Sequence, residues 1–205
     1  MNWFLSLLTP LLLHMAVSEI TAAAFGRFLD SAGCATLTAV IVIPVAVWMC
    51  QKDGTELKPE KINRKSILLG ICCVAGGAVL NVLWSTVLNG FHVQKVFSNQ
   101  TQEQLLSSAV CLQVLGLGVL VPVAEELIFR ALIYCRLRRG FGAALAVFFS
   151  ALLFAVYHGN PIQMLYAFPM AVILALLFEK SRSVIFPILF HMGANLITVL
   201  FHFIG

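Results

Sequence analysis

The sequence is poor in charge. Of its 205 residues only 11% are Asp, Glu, Lys or Arg, while 60% are hydrophobic; a soluble domain carries about a quarter charged residues. A water-soluble single-core globule is therefore excluded. Mean hydropathy is +0.97, and apolar runs of about 20 residues recur along the whole length, the pattern of an all-α, polytopic transmembrane helical bundle. These runs do not alternate between polar and apolar residues, which excludes an outer-membrane barrel. Paired metal-binding cysteines are missing too. The six cysteines (Cys34, Cys50, Cys72, Cys73, Cys111 and Cys135) sit within or at the ends of apolar stretches, without CxxC spacing, and read as small packing residues.

Seven apolar segments can be drawn, near 3–25, 32–50, 66–88, 107–134, 141–158, 163–178 and 184–204. They consume most of the chain and leave room for one domain. The sixth is short enough to suggest a tilted or re-entrant element. The first has no basic region before it and no cleavage site after it, so it reads as a retained helix rather than a signal peptide. Lys and Arg divide unequally between the connections. Lys52, Lys58, Lys61, Arg64, Lys65, Arg136, Arg138, Arg139, Lys180 and Arg182 fall in one set, and only Arg27 and Lys95 in the other. Positively charged loops stay in the cytoplasm, so a multi-pass protein of the plasma membrane with a cytoplasmic N-terminus is expected. The net charge of +4 reads as membrane-surface charge, not as a nucleic-acid footprint.

Four charged residues remain inside the apolar segments: Glu19, Glu125, Glu126 and Arg130. A charge at the bilayer centre costs at least about 2.5 to 3.5 kcal/mol on insertion scales, so such residues mark functional sites by default. Glu126 and Arg130, at i and i+4, share a helix face and form a structural ion pair. Glu125 points about 100° away and is free to face another group. The available partners are His158, where Gly159 and Pro161 end a helix one turn after Phe154, and His191, one turn before Asn195. A hairpin of the fourth and fifth segments turning near Gly140 would bring His158 within a turn of Glu125. His14, Glu19 and His202 read as packing residues.

In order, EExxxR (Glu125, Glu126, Arg130), FxxxH (Phe154, His158) and HxxxN (His191, Asn195) resemble the motifs of the CPBP family of intramembrane endopeptidases, also called Abi or CAAX-protease-and-bacteriocin-processing proteins. The resemblance covers roughly residues 105–202, and residues 105–205 would be the catalytic helical core. Residues 1–104 would be a variable set of transmembrane helices. It implies that Glu125 activates a water that attacks a peptide carbonyl, with His158 assisting proton transfer. His191 and Asn195 would donate to the oxyanion, a contribution of about 3 kcal/mol per donor. Glu126, Arg130 and Phe154 would be structural support. It further implies a hydrophobic or lipid-modified peptide substrate and a cavity open to the cytoplasm, with Arg136, Arg138 and Arg139 along its approach.

The residues leave other chemistry open. Glu125, His158 and His191 would also make a three-ligand zinc site with an open position, although a glutamate-activated water without any cofactor is preferred. Other membrane proteases are excluded by what is absent. There is no HExxH for a site-two-type zincin, no Gly-x-Ser for a rhomboid-type nucleophile, and both aspartates (Asp30 and Asp53) lie outside the apolar segments. Peptide or bacteriocin maturation, or self-immunity, is the expected setting. The competing functions are a non-proteolytic immunity or scaffolding protein and a small transporter, the latter weakened by the absence of an internal repeat.

Overall fold

The computed structural model describes residues 3–55, 57, 62–92 and 100–204. Among these, eight helices and no strand are found: α1 (Trp3–Phe25), α2 (Ser31–Lys52), α3 (Arg64–Gly90), α4 (Gln100–Leu106), α5 (Leu112–Gly140), α6 (Ala143–Tyr157), α7 (Pro161–Ser181) and α8 (Ile185–Ile204). Six of them, all but α4 and α6, are long and apolar enough to cross a membrane, as a multi-pass membrane protein requires. Their outer faces carry exposed Leu12, Ile20, Ile71, Val79, Leu83 and Leu200, side chains suited to lipid rather than water.

Helix ends follow local chemistry. Asp30 caps α2, its carboxylate accepting from the Gly33 amide at 2.8 Å. Asn63 and Ser66 form a reciprocal capping box at the start of α3. Asn160 accepts from the Ile162 amide at 3.0 Å, and Pro161 opens α7 at a position where a missing N–H costs nothing. Gly159, at φ +65°, makes the turn between α6 and α7 that a side chain would strain.

Two expectations from the sequence are corrected. The short membrane element is the fifth apolar segment, which forms the 15-residue α6, and not the sixth, which forms the 21-residue α7. Asn160 and Pro161 start α7 earlier than hydropathy suggests, and its polar last turn, Glu179 to Ser181, remains helical. The fourth segment likewise runs on through Arg136, Arg138 and Arg139 to Gly140, so these arginines belong to a helix rather than a loop. Lys58, Lys61 and Lys95 lie outside the described residues.

Helix α5 is the buried axis of the bundle. It is not uniform: π-helical stretches, Leu112–Leu120 and Leu127–Tyr134, flank the α-helical turn Val121–Glu126. π-helical turns are frequent at functional sites, and here they bracket both glutamates. Helices α5 and α6 form a hairpin in which the Ser150 hydroxyl donates to the Phe129 carbonyl at 3.1 Å. Helices α3 and α8 touch backbone to backbone. A Cβ on Gly77 would lie 1.8 Å from the Phe190 carbonyl oxygen, and one on Gly193 would lie 2.0 Å from that of Val74. Small residues permit this approach, which side-chain packing between membrane helices exploits.

Candidate active site

Adjacent glutamates on α5 meet different surroundings. The Glu125 side chain is 8% exposed and lines a cavity of about 1150 Å³. Glu126 is fully buried behind it. Its Oε2 stands 3.0 Å from Arg130 Nε, and its Oε1 accepts a hydrogen bond from His191 Nδ1 at 2.9 Å. The sequence reading of Glu126 as half of an ion pair is therefore incomplete: its second oxygen reaches across to α8 and orients the imidazole. The His191 Nε2 atom is turned the other way, 3.7 Å from Glu125 Oε2. That distance is an electrostatic contact, beyond hydrogen-bond length.

Arg130 is held on three sides. Besides Glu126, its Nη2 lies 3.5 Å from the Ala171 carbonyl of α7, and its guanidinium carbon sits 4.8 Å from the centre of the Phe154 ring. Phe154 is the hub of the aromatic packing. Its ring centre is 5.0 Å from that of His158 and 5.8 Å from that of His191, so one side chain contacts both imidazoles and the arginine.

His158 closes the end of its own helix. The His158 amide turns back to Ala155, and its Nδ1 donates instead to the Phe154 carbonyl at 2.8 Å. A carbonyl can only accept, so the proton is on Nδ1. In the neutral ring Nε2 then carries the lone pair, the form a proton acceptor needs. His158 lines the same cavity as Glu125 and His191.

Asn195 has a neighbour that hydropathy could not reveal. Its amide donates to the Leu117 carbonyl at 2.9 Å. In the π-helical register, the Val121 amide goes to Gly116, and the amide due to Leu117 is that of Pro122, which has no N–H. Asn195 thus supplies the donor that proline removes, tying α8 to α5 while it borders the cavity. The cue was present in the sequence as Pro122, three residues before Glu125, but only the π register gives it meaning.

Sequence reasoning also missed Tyr157 and Asn81. Tyr157 lines the cavity and shares a hydrogen bond with buried His14 of α1. Asn81 donates to the Ala194 carbonyl at 3.0 Å and to the Thr198 hydroxyl at 3.2 Å, locking α3 to α8 along the cavity wall. Glu19 and His202 border the opening and are exposed. Arg136, Arg138 and Arg139, by contrast, do not approach the cavity. Arg136 pairs with Asp53 at 2.6 Å, Arg138 with Glu179 at 3.3 Å, and Arg139 donates to the Asp53 carbonyl at 2.7 Å.

Among the described residues, no group of three or more His, Cys, Asp or Glu side chains is arranged to hold a metal ion. His191 Nδ1 is committed to Glu126, and His158 Nδ1 to a backbone carbonyl. The arrangement offers a carboxylate and two imidazole Nε2 atoms facing a cavity, backed by a buried charge network that fixes one ring.

Comparison with known proteins gives this arrangement a family. The UPF0177 protein YajF of Lactococcus lactis subsp. lactis (strain IL1403) is 25% identical over 152 residues, which are 73% of this chain and 74% of that protein. No solved structure matches. The model for the type II CAAX prenyl endopeptidase Rce1-like family matches residues 107–197, a stretch that opens before α5 and closes after Asn195. Residues 107–197 of this chain form a type II CAAX prenyl endopeptidase Rce1-like domain.

Proposed function

We propose that the protein is an intramembrane endopeptidase that hydrolyses a peptide bond of a hydrophobic peptide with a water activated by Glu125. The observation that carries this reading is the division of labour between neighbouring glutamates. Glu125 faces the cavity and has no cationic side chain of its own at hydrogen-bond distance, whereas Glu126 is consumed by Arg130 and His191. A carboxylate that faces a water-sized space and is not consumed by an ion pair is placed to take a proton from a water held there.

In this reading Glu125 takes a proton from water as the water oxygen attacks the carbonyl carbon. The carbonyl π electrons move to oxygen, and the amide nitrogen leaves with the proton returned by Glu125. His158 Nε2, its lone pair set by the Nδ1–H bond to Phe154, accepts a hydrogen bond from the same water. His191 donates a hydrogen bond from Nδ1–H to Glu126, so it can donate from Nε2 to the oxyanion only when the ring carries its second proton. Asn195 keeps one amide hydrogen beyond its bond to Leu117 for the same task.

Mass spectrometry of new peptide termini in membranes from cells expressing the wild type or Glu125→Gln tests the proposal. Termini present only with the wild type, and lying within or beside apolar segments, are expected. Identical sets of termini would overturn it.

A further inference from the structure

The cavity lies at one end of the bundle. Glu19 is in the second half of α1, Asn81 in that of α3, His158 at the close of α6 and Thr198 in the second half of α8, whereas Leu117 and Gln163 are in the first halves of α5 and α7. Membrane helices that follow one another in the chain run in opposite directions, so all these positions are at the same end. Glu125 is the ionisable residue that α5 places on the cavity wall, 15 residues before Gly140, or about 22 Å along a helix from that helix's basic terminus.

Basic residues mark the other end. Lys52 closes α2, Arg64 and Lys65 open α3, Arg136, Arg138 and Arg139 close α5, and Lys180 and Arg182 flank the end of α7. Among the described residues only Arg27 represents Lys or Arg in the connections at the cavity end. Orientation is set by the Lys and Arg count near the ends of spans, and Asp and Glu contribute little to it. The ion pairs of Arg136 with Asp53 and of Arg138 and Arg182 with Glu179 therefore do not cancel the bias. They also stitch α2, α5 and α7 together there, on the side away from the cavity.

We propose that the cavity opens on the extracytoplasmic side of the membrane, so that the site receives peptide segments that have reached the outer half of the bilayer. The sequence resemblance implies a cytoplasmic opening with Arg136, Arg138 and Arg139 along its approach; those arginines stand at the end opposite the cavity. What this says of the substrate rests on the proteolytic reading, and what it says of the cavity does not. A cytoplasmic lipid-modified tail would meet the closed, ion-paired end, whereas an exported peptide or the outer part of a membrane-spanning segment would meet Glu125.

Accessibility labelling of the full-length protein tests this without any need for activity. In a background with the six native cysteines replaced, Gln163→Cys and Thr198→Cys are expected to react with a membrane-impermeant maleimide added to intact cells. Gly140→Cys is expected to react only after permeabilisation. The reverse pattern would overturn the proposal. Where the cysteine-free background fails to fold, the otherwise unaltered chain is fused after its last residue to alkaline phosphatase or to a green fluorescent protein. Active phosphatase supports the proposal, since α8 ends at the cavity end, and a fluorescent fusion without phosphatase activity overturns it.

Discussion

Glu126 and His191, 65 positions apart in the chain, are joined by a 2.9 Å hydrogen bond between Oε1 and Nδ1. The other oxygen of that carboxylate faces Arg130 at 3.0 Å. One buried side chain thereby fixes both the ion pair of α5 and the ring orientation of α8, and the behaviour of the site under mutation follows from it.

Glu126→Gln leaves Arg130 as a buried cation without its counter-charge, a loss that costs about 3 to 5 kcal/mol when one member of a buried pair is removed. Replacing both residues costs less than replacing one. Thermal unfolding in detergent is expected to show Glu126→Gln well below the wild type, with Glu126→Gln, Arg130→Met partly restored. A double variant less stable than the single would show that Arg130 has other anchors strong enough to hold it.

Asn195→Ala removes the donor to the Leu117 carbonyl, and an orphaned buried acceptor costs about 1 to 3 kcal/mol. Pro122→Ala returns a backbone N–H to the same place. Stability measured across the four combinations is expected to show a smaller penalty for Asn195→Ala in the Pro122→Ala background. Equal penalties in both backgrounds would mean that the asparagine does not act as a substitute for the missing amide.

How much of this was legible in the sequence is now clear from particular residues. The scarcity of charge singled out Glu125, Glu126 and Arg130, because a bilayer tolerates few ionised groups and each survivor stands out. The i, i+4 spacing was enough to pair Glu126 with Arg130. It could not give Glu126 its second partner, since the contact to His191 depends on how α8 packs on α5. Nor could it show that Asn195 answers to Pro122, because helical periodicity assumes an α register that the π-helical turns of Leu112–Leu120 break. The side on which the cavity opens is not legible from the motifs alone, because Arg136, Arg138 and Arg139 follow Glu125 closely in sequence while a helix carries them about 16 to 21 Å from it.

Gly193→Ala brings a Cβ to within 2.0 Å of the Val74 carbonyl oxygen, which forces α3 and α8 apart by more than a side-chain adjustment can absorb. Because His191 and Asn195 flank this glycine, the displacement reaches the site directly. Overpacking costs about 1 to 3 kcal/mol. A lowered unfolding temperature together with reduced cleavage is expected, whereas the same change at Gly90, where a Cβ meets nothing within 4 Å, is expected to alter neither.

Purified protein is expected to hold zinc well below one equivalent by elemental analysis and to keep its cleavage activity in the presence of a chelator. No three-ligand cluster of His, Cys, Asp or Glu forms among the described residues. One equivalent of zinc lost together with activity would reassign Glu125 from base to ligand.

The central claim is that Glu125, and not the network behind it, performs the chemistry. Its most direct measurement is the cleavage rate of Glu125→Gln in liposomes beside its unfolding temperature, using a membrane peptide identified from the wild-type termini. Loss of a positioned general base costs about 10²- to 10⁴-fold, and Glu125 carries no structural ion pair with Arg130, so a rate drop in that range with an unfolding temperature close to the wild type is the predicted result. Undiminished cleavage by Glu125→Gln would contradict the account.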